Sequence, residues 1–239
     1  MPFEVKVGAL SDIGMKRQNN QDSYLVNEKL GLFAVADGMG GHSGGEVASA
    51  LAVKAIEHVF KENRTKKNVI DLLKLGVEKG NQIIFEQASQ QPELHGMGTT
   101  LTAMAVQKKQ MIIAQVGDSR CYVFYKGQLF QVTEDHSQIY ELMKLGFVTQ
   151  DNVHHFQKNV ITRSVGYEPS VIPDMYTLEI LPGSKFVLCS DGLTGMATHE
   201  QMAQILHNFE PEAAAKNLVT LANLQGGEDN VTAVVVEFK

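Results

Sequence analysis

The chain has 239 residues, 44% of them apolar, and a formal net charge of −6. That length and apolar content support a substantial core in one domain spanning 1–239, and the negative balance argues against a general nucleic-acid binder. With no run of 18 apolar residues and no leader pattern, the reading is a soluble, cytoplasmic protein.

Val5, Val7 and Ala9 alternate with polar or small residues and predict a half-exposed strand. A polar loop, 11–22, leads into a second strand, Ser23 to Val26. The apolar run Leu32 to Ala36 predicts a buried strand that ends on Asp37 and a glycine-rich turn. Ser43 with Glu46 reads as a capping box, and apolar residues from Val47 to Phe60 trace one face of a helix ending near Asn63. A second helix is predicted from about Lys66 to Ser89, with Val69, Leu72, Leu73, Val77, Ile83 and Ile84 on its apolar face. Gly76 and Gly80 on or near that face would let another helix approach closely.

From Thr99 the pattern turns to β. Segments Thr99–Val106, Met111–Val116, Arg120–Tyr125 and Gln128–Val132, with tight turns between them, read as an antiparallel meander. Residues 133–166 break the rhythm: they are polar, hold His136, His154 and His155, and carry a short helix, Gln138 to Leu145. They read as an insertion over the sheet. Met175–Ile180 and Lys185–Cys189 read as a further hairpin. Thr198 with Gln201 is a capping box opening a helix to about Asn208, and Pro211 starts another to about Asn223. A last strand covers Val231 to Phe238. Cys121 and Cys189 lie inside apolar runs and read as reduced, buried thiols. Helices grouped among antiparallel strands predict an α+β fold with sheets and helices in layers.

Asp37, Asp118, Asp191 and Asp229 share one setting: each lies in a glycine-containing turn beside an apolar strand. Asp22 is a fifth. A carboxylate at the end of a buried strand is costly unless a cation meets it. Carboxylate and carbonyl oxygens select hard ions such as Mg²⁺ or Mn²⁺ over zinc. Two such ions, about 3.5–4 Å apart, would stabilise an in-line displacement at phosphorus.

Arg17-x-x-Asn20-Gln21-Asp22, Asp37-Gly-Met-Gly-Gly-His, Gly98-Thr-Thr-Leu, Val116-Gly-Asp-Ser-Arg, Ser190-Asp-Gly-Leu and Asp229-Asn-Val-Thr occur in this order. Each piece is weak alone. The ordered set, from about Ser11 to Val236, resembles the metal-dependent serine/threonine protein phosphatases of type 2C in their bacterial form. The resemblance implies a four-layer α-β-β-α sandwich of two mainly antiparallel sheets flanked by helices. It implies hydrolysis of phosphoserine and phosphothreonine in proteins by a hydroxide bridging two Mn²⁺ or Mg²⁺ ions, with no phosphoenzyme. By motif, Asp37 and the Gly38 carbonyl hold the ions, Asp191 and Asp229 complete the first, and Asp22 acts through water. Asp118, with Asp191, takes a weaker third ion. Arg17 binds the substrate phosphate, Asn230 orders the Asp229 turn, and the insertion at about 133–166 is the family's flap. A partner serine/threonine kinase and a monomeric state follow from the resemblance alone. One departure concerns the proton for the leaving group. Animal members carry a histidine where this chain has Met39; His42 follows three residues later, and a metal-bound water is the other candidate.

Two rival readings come from different chemistry. Gly41-His-Ser43-Gly-Gly45 matches the G-x-S-x-G elbow of serine hydrolases, with Ser43 as nucleophile. A phosphoprotein-binding pseudophosphatase would lack metal aspartates, which are present here. The chain has no C-x₅-R, no D-x-D and no G-x-x-x-x-G-K-[ST] motif for other phosphoryl-transfer chemistries.

Overall fold

Strand alternation assigns each strand's two faces to different cores. In β3 (Leu32–Met39), Leu32, Ala34 and Ala36 face one apolar cluster while Phe33 and Val35 face another. In β11 (Val231–Phe238), Val231, Ala233 and Val235 face a third cluster, and Val234, Val236 and Phe238 return to the second. Both strands are therefore covered on both faces, which is why they read as nearly continuous apolar runs. These are properties of a computed structural model that describes residues 3–149, 156 and 160–239, without the side chains of residues 41–43.

The remaining strands are β1 (Val5–Asp12), β2 (Asp22–Asn27), β4 (Gly98–Thr99), β5 (Leu101–Gln107), β6 (Gln110–Val116), β7 (Arg120–Tyr125), β8 (Gln128–Gln131), β9 (Asp174–Glu179) and β10 (Lys185–Cys189). One sheet runs β1-β11-β10-β7-β8; the other runs β2-β3-β5-β6-β9, with β4 paired to the end of β3. Every pairing is antiparallel. The helices α1 (Gly41–Asn63) and α2 (Val69–Gln90) cover the second sheet. The helices α5 (His199–Asn208) and α6 (Pro211–Leu224) cover the first. The layers are α-β-β-α, as expected. Between the sheets, buried side chains such as Phe33, Phe186 and Phe238 each contribute about 1.5–3 kcal/mol by leaving water.

The two hairpins β5–β6 and β7–β8 form as expected, but the single meander does not. β6 and β7 never pair: the turn Gly117-Asp118-Ser119 carries the chain from one sheet to the other. β9 and β10 likewise lie in different sheets, so their Pro-Gly turn is also a crossing. Local turn chemistry is the same for a hairpin and a crossing; the choice is made by which distant strand each apolar face can cover.

Helix starts show a second difference. α1 begins at Gly41 after a Gly40 cap, so Ser43 lies inside the first turn rather than at the cap. The Thr198–Gln201 capping box and the first-turn Pro211 are as expected. A short helix, α4 (Asp191–Thr194), was not foreseen. On α2, Ile83 faces solvent while Ile84 is buried. Gly76 meets Ile56 of α1 so closely that a Cβ there would clash at 2.6 Å. Cys121 and Cys189 are buried free thiols whose side chains join different clusters. The short helix after β8 is α3 (Gln138–Lys144). His154 and His155 lie outside the described residues.

Candidate active site

Strand ends of both sheets meet at one rim of the sandwich. β2 begins at Asp22 and β3 runs through Asp37. β6 ends just before Asp118, β10 ends just before Asp191, and β11 begins just after Asp229. Packing at this rim is backbone on backbone: a Cβ on Gly38 would strike the Gly45 carbonyl of α1. The glycines around Asp37 are thus spacing residues, which bring the first turn of α1 against the end of β3.

Asp37, Asp118, Asp191 and Asp229 line one cleft of about 440 Å³, together with Arg17, Gln21, Gly38, Met39, Gly40, Ile161 and Asn230. A larger groove of about 580 Å³ runs along residues 161–174. Its Arg163 and Asp174 are paired at 2.7 Å, leaving Glu168 as its one other acidic side chain, whereas four aspartates line the smaller cleft.

The carboxylates perturb one another. Asp37 is held well above the usual carboxylate range, first by burial and then by Asp22, Asp191, Asp118 and Asp229. Burial, then Asp191 and Asp135, pushes Asp118 up to about 7. Asp191 is raised by burial and by Asp229, and its Oδ1 is buried without a hydrogen-bond partner. Arg17 sits at the mouth, half exposed, with Nη2 donating to Asp229 Oδ2 at 2.7 Å.

Asp22 is placed differently. It does not line the cleft but is buried behind Asp37, its partner across the β2–β3 ladder. Its Oδ2 accepts from Ser190 Oγ at 2.7 Å and from Thr232 Oγ1 at 2.6 Å, while its Oδ1 has no partner. Burial pushes its pKa up to about 7 against the opposing pull of those hydroxyls.

Asn230 is the organiser of the rim. Its Oδ1 accepts from Gln21 N at 2.8 Å, and its Nδ2 donates to the carbonyls of Ile13 and Asn19, both at 2.9 Å. Its own N–H donates to Asp229 Oδ1 at 2.8 Å. One buried amide therefore ties the Arg17 loop, β2 and the Asp229 turn together.

The residues fit a hard divalent cation: the donors are oxygens, two buried acceptor atoms lack partners, and the nearby arginines are already engaged, Arg17 by Asp229 and Arg120 by Asp135. Among the described residues, no three acidic, histidine or cysteine side chains close on one point as a ready cage. Small hard ions keep several waters and need only one or two carboxylates each, so an open acidic cleft is the expected arrangement.

A family model described as protein phosphatase 2C matches residues 15–223. The chain belongs to the protein phosphatase 2C family. A serine/threonine phosphatase of Listeria monocytogenes is 37% identical over 235 residues, covering 95% of this chain and 93% of its own length. The crystal structure of the Mycobacterium tuberculosis serine/threonine phosphatase PstP/Ppp superposes with a TM-score of 0.91 at 36% identity, covering 98% of this chain and 99% of that one. A structure of the PstP catalytic domain, 35% identical with a TM-score of 0.89 and 98% of each chain covered, was solved in complex with two manganese ions.

Among the sequence candidates, then, Arg17, Asp37, Gly38, Asp118, Asp191, Asp229 and Asn230 of this phosphatase 2C chain converge on one cleft. Asp22 lies behind it. The His42 side chain falls outside the described residues. Ser43 lies within α1 and not on a strand-to-helix elbow, which removes the geometry that a G-x-S-x-G nucleophile requires. Sequence reasoning missed the hydroxyls that support the carboxylates: Thr100, Ser190 and Thr232. Ser190 and Thr232 each stand beside or near a motif aspartate. Thr100 belongs to the Gly98-Thr-Thr-Leu motif, whose two threonines at the end of an apolar strand were its only signal.

Proposed function

We propose that the chain is a serine/threonine protein phosphatase that uses Mn²⁺ or Mg²⁺. The observation that carries this reading is the convergence of four carboxylates from separate strand-end turns on one cleft, with an arginine at its mouth. Asp37, the Gly38 carbonyl, Asp191 and Asp229 would hold two ions, with Asp22 acting from behind through water. Asp118, together with Asp191, would hold a third. Ions bound there supply Lewis acidity and an activated water for in-line displacement at phosphorus.

The chain's own residues do the rest. Arg17 presents a planar, permanently charged fork that suits two phosphate oxygens and orients the phosphorus over the carboxylates. Asn230 and the hydroxyls of Ser190 and Thr232 hold the acidic groups in place. Met39 lines the cleft and offers no proton, and among the described residues no histidine lines it. Water is the proton source for the departing serine or threonine oxygen that this lining supports, with His42 the other candidate by sequence. The 239 residues act as one catalytic domain, with the insertion at about 133–166 read as the family's flap. A monomeric, cytoplasmic enzyme opposing a serine/threonine kinase is the setting that the family likeness supports. Among the described residues no helix is long and apolar enough to cross a membrane.

The test is turnover of a phosphothreonine peptide with Mn²⁺ added and then chelated. Activity that depends on the ion and ignores a serine-directed fluorophosphonate supports the proposal. Full activity after exhaustive chelation, or its loss to the fluorophosphonate, overturns it. Metal-dependent phosphopeptide binding without turnover would mark a pseudophosphatase.

A further inference from the structure

Asp37 and Asp118 come from β3 and β6, which are not neighbours; β5 lies between them. Thr100 stands at the break between β4 and β5 and reaches both. Its Oγ1 accepts the Asp37 N–H at 2.8 Å, and its N–H donates to the Asp37 carbonyl at 2.9 Å. The same Oγ1 makes a 2.7 Å hydroxyl–hydroxyl bond to Ser119, the residue after Asp118. On the other side of Asp118, Gly117 rests on the Thr100 methyl at a φ of +96°; a Cβ there would lie 2.6 Å from Thr100 Cγ2. Thr100 is 1% exposed and Ser119 is fully buried, so water does not replace either bond.

We infer that Thr100 is a positioning residue, a joint whose hydroxyl sets the Asp118 turn against the end of β3 and so fixes the relative placement of the two carboxylates for the cations. The inference rests on the phosphatase reading for its catalytic consequence, though not for its structural one. Thr99 Oγ1 also donates to the Asp37 carbonyl at 2.9 Å and Thr102 Oγ1 to the Ser119 carbonyl at 2.8 Å, but among the described residues of the intervening β4–β5 segment Thr100 is the one whose side chain bonds both segments. The hydroxyl is required in both directions: it is the acceptor for one turn and a hydrogen-bonding partner of the other. Valine copies the shape of threonine but supplies neither.

The experiment compares Thr100→Val, Thr100→Ser and Ser119→Ala with wild type, by three readouts. The first is hydrogen exchange of the Asp37 amide in the metal-free protein. The second is Mn²⁺ affinity by calorimetry. The third is kcat and KM on a phosphothreonine peptide. In Thr100→Val the Asp37 amide should exchange faster, Mn²⁺ should bind more weakly, and kcat should fall roughly ten- to hundredfold with little change in KM, the effect of one unpaired buried donor at the site. Thr100→Ser should restore protection and come within about threefold of wild type, because the hydroxyl is kept. Ser119→Ala should keep the Asp37 amide protected yet weaken Mn²⁺ binding; it also serves as the measure if Thr100→Val does not fold. Wild-type Mn²⁺ affinity in Ser119→Ala, or a Thr100→Ser variant as impaired as Thr100→Val, overturns the inference. If wild type shows no turnover, the phosphatase reading fails, while exchange and calorimetry still decide the role of Thr100.

Discussion

Asp22→Asn should stabilise the metal-free protein at pH 8. The native side chain is buried, with one oxygen held by two hydroxyls and the other without a partner. Burial raises its pKa from 3.8 to about 7. A carboxyl raised in the folded state binds its proton more tightly there than in the unfolded chain. Its stabilising contribution is therefore complete below about pH 4 and is lost as the pH rises through about 7. At about 1.36 kcal/mol per pH unit, the charged form costs roughly 4 kcal/mol at pH 8. Asparagine keeps an acceptor for Ser190 and Thr232 but weakens both bonds by removing the charge, which returns about 1–2 kcal/mol. The expected net gain is about 2 kcal/mol at pH 8, shrinking towards pH 4. Urea unfolding in EDTA at the two pH values measures it. A variant no more stable than wild type at pH 8, or a gap that does not change with pH, would refute the argument that a buried charge is what destabilises the empty protein. Calorimetry on the same variant should show weaker Mn²⁺ binding, since the charge that costs stability without the ion is the one that attracts it.

Two other substitutions test the cleft. Arg17→Ala should raise KM for a phosphopeptide more than it lowers kcat if, as proposed, the guanidinium holds the phosphate equally in ground and transition states; a large fall in kcat at constant KM would make Arg17 a transition-state group. Asp118→Ala should keep two ions and slow turnover on phosphopeptides, with two anomalous peaks in Mn²⁺-soaked crystals where wild type shows three. Equal rates, with no third peak in wild type at millimolar Mn²⁺, would reduce Asp118 to a turn residue.

Much of this was legible because the governing signals are local. The strand at Leu32–Ala36, the glycine turn after it and the capped helix at Thr198 each declare themselves within a few residues. The convergence of the acidic turns was legible only as an ordered set, since any one aspartate in a glycine turn is commonplace. Sheet membership was not legible: Val116-Gly-Asp-Ser-Arg120 has the form of a hairpin turn, yet β6 and β7 find their partners in different sheets. The cap of α1 was misplaced because Gly40, at a φ of +123°, ends the loop in a conformation that no side-chain pattern announces. The placement of Asp22 behind the cleft depends on Ser190 and Thr232, which come from distant segments that meet only in the fold.

The place of β11 has a consequence for how the protein is made. This strand lies between β1 and β10, pairing Val5 with Phe238 on one side and Cys189 with Ala233 on the other. A ribosome completes β1 early and must then synthesise every intervening element before its neighbour exists. Until then β1 and β10 have no sheet between them, and Asp229 and Asn230 are absent from the rim. Closing such a distant pairing is slow compared with local contacts. The acidic rim therefore cannot be complete before β11 is made: a chain stopped ahead of that strand carries three of the four cleft carboxylates without the strand that brings the fourth to them.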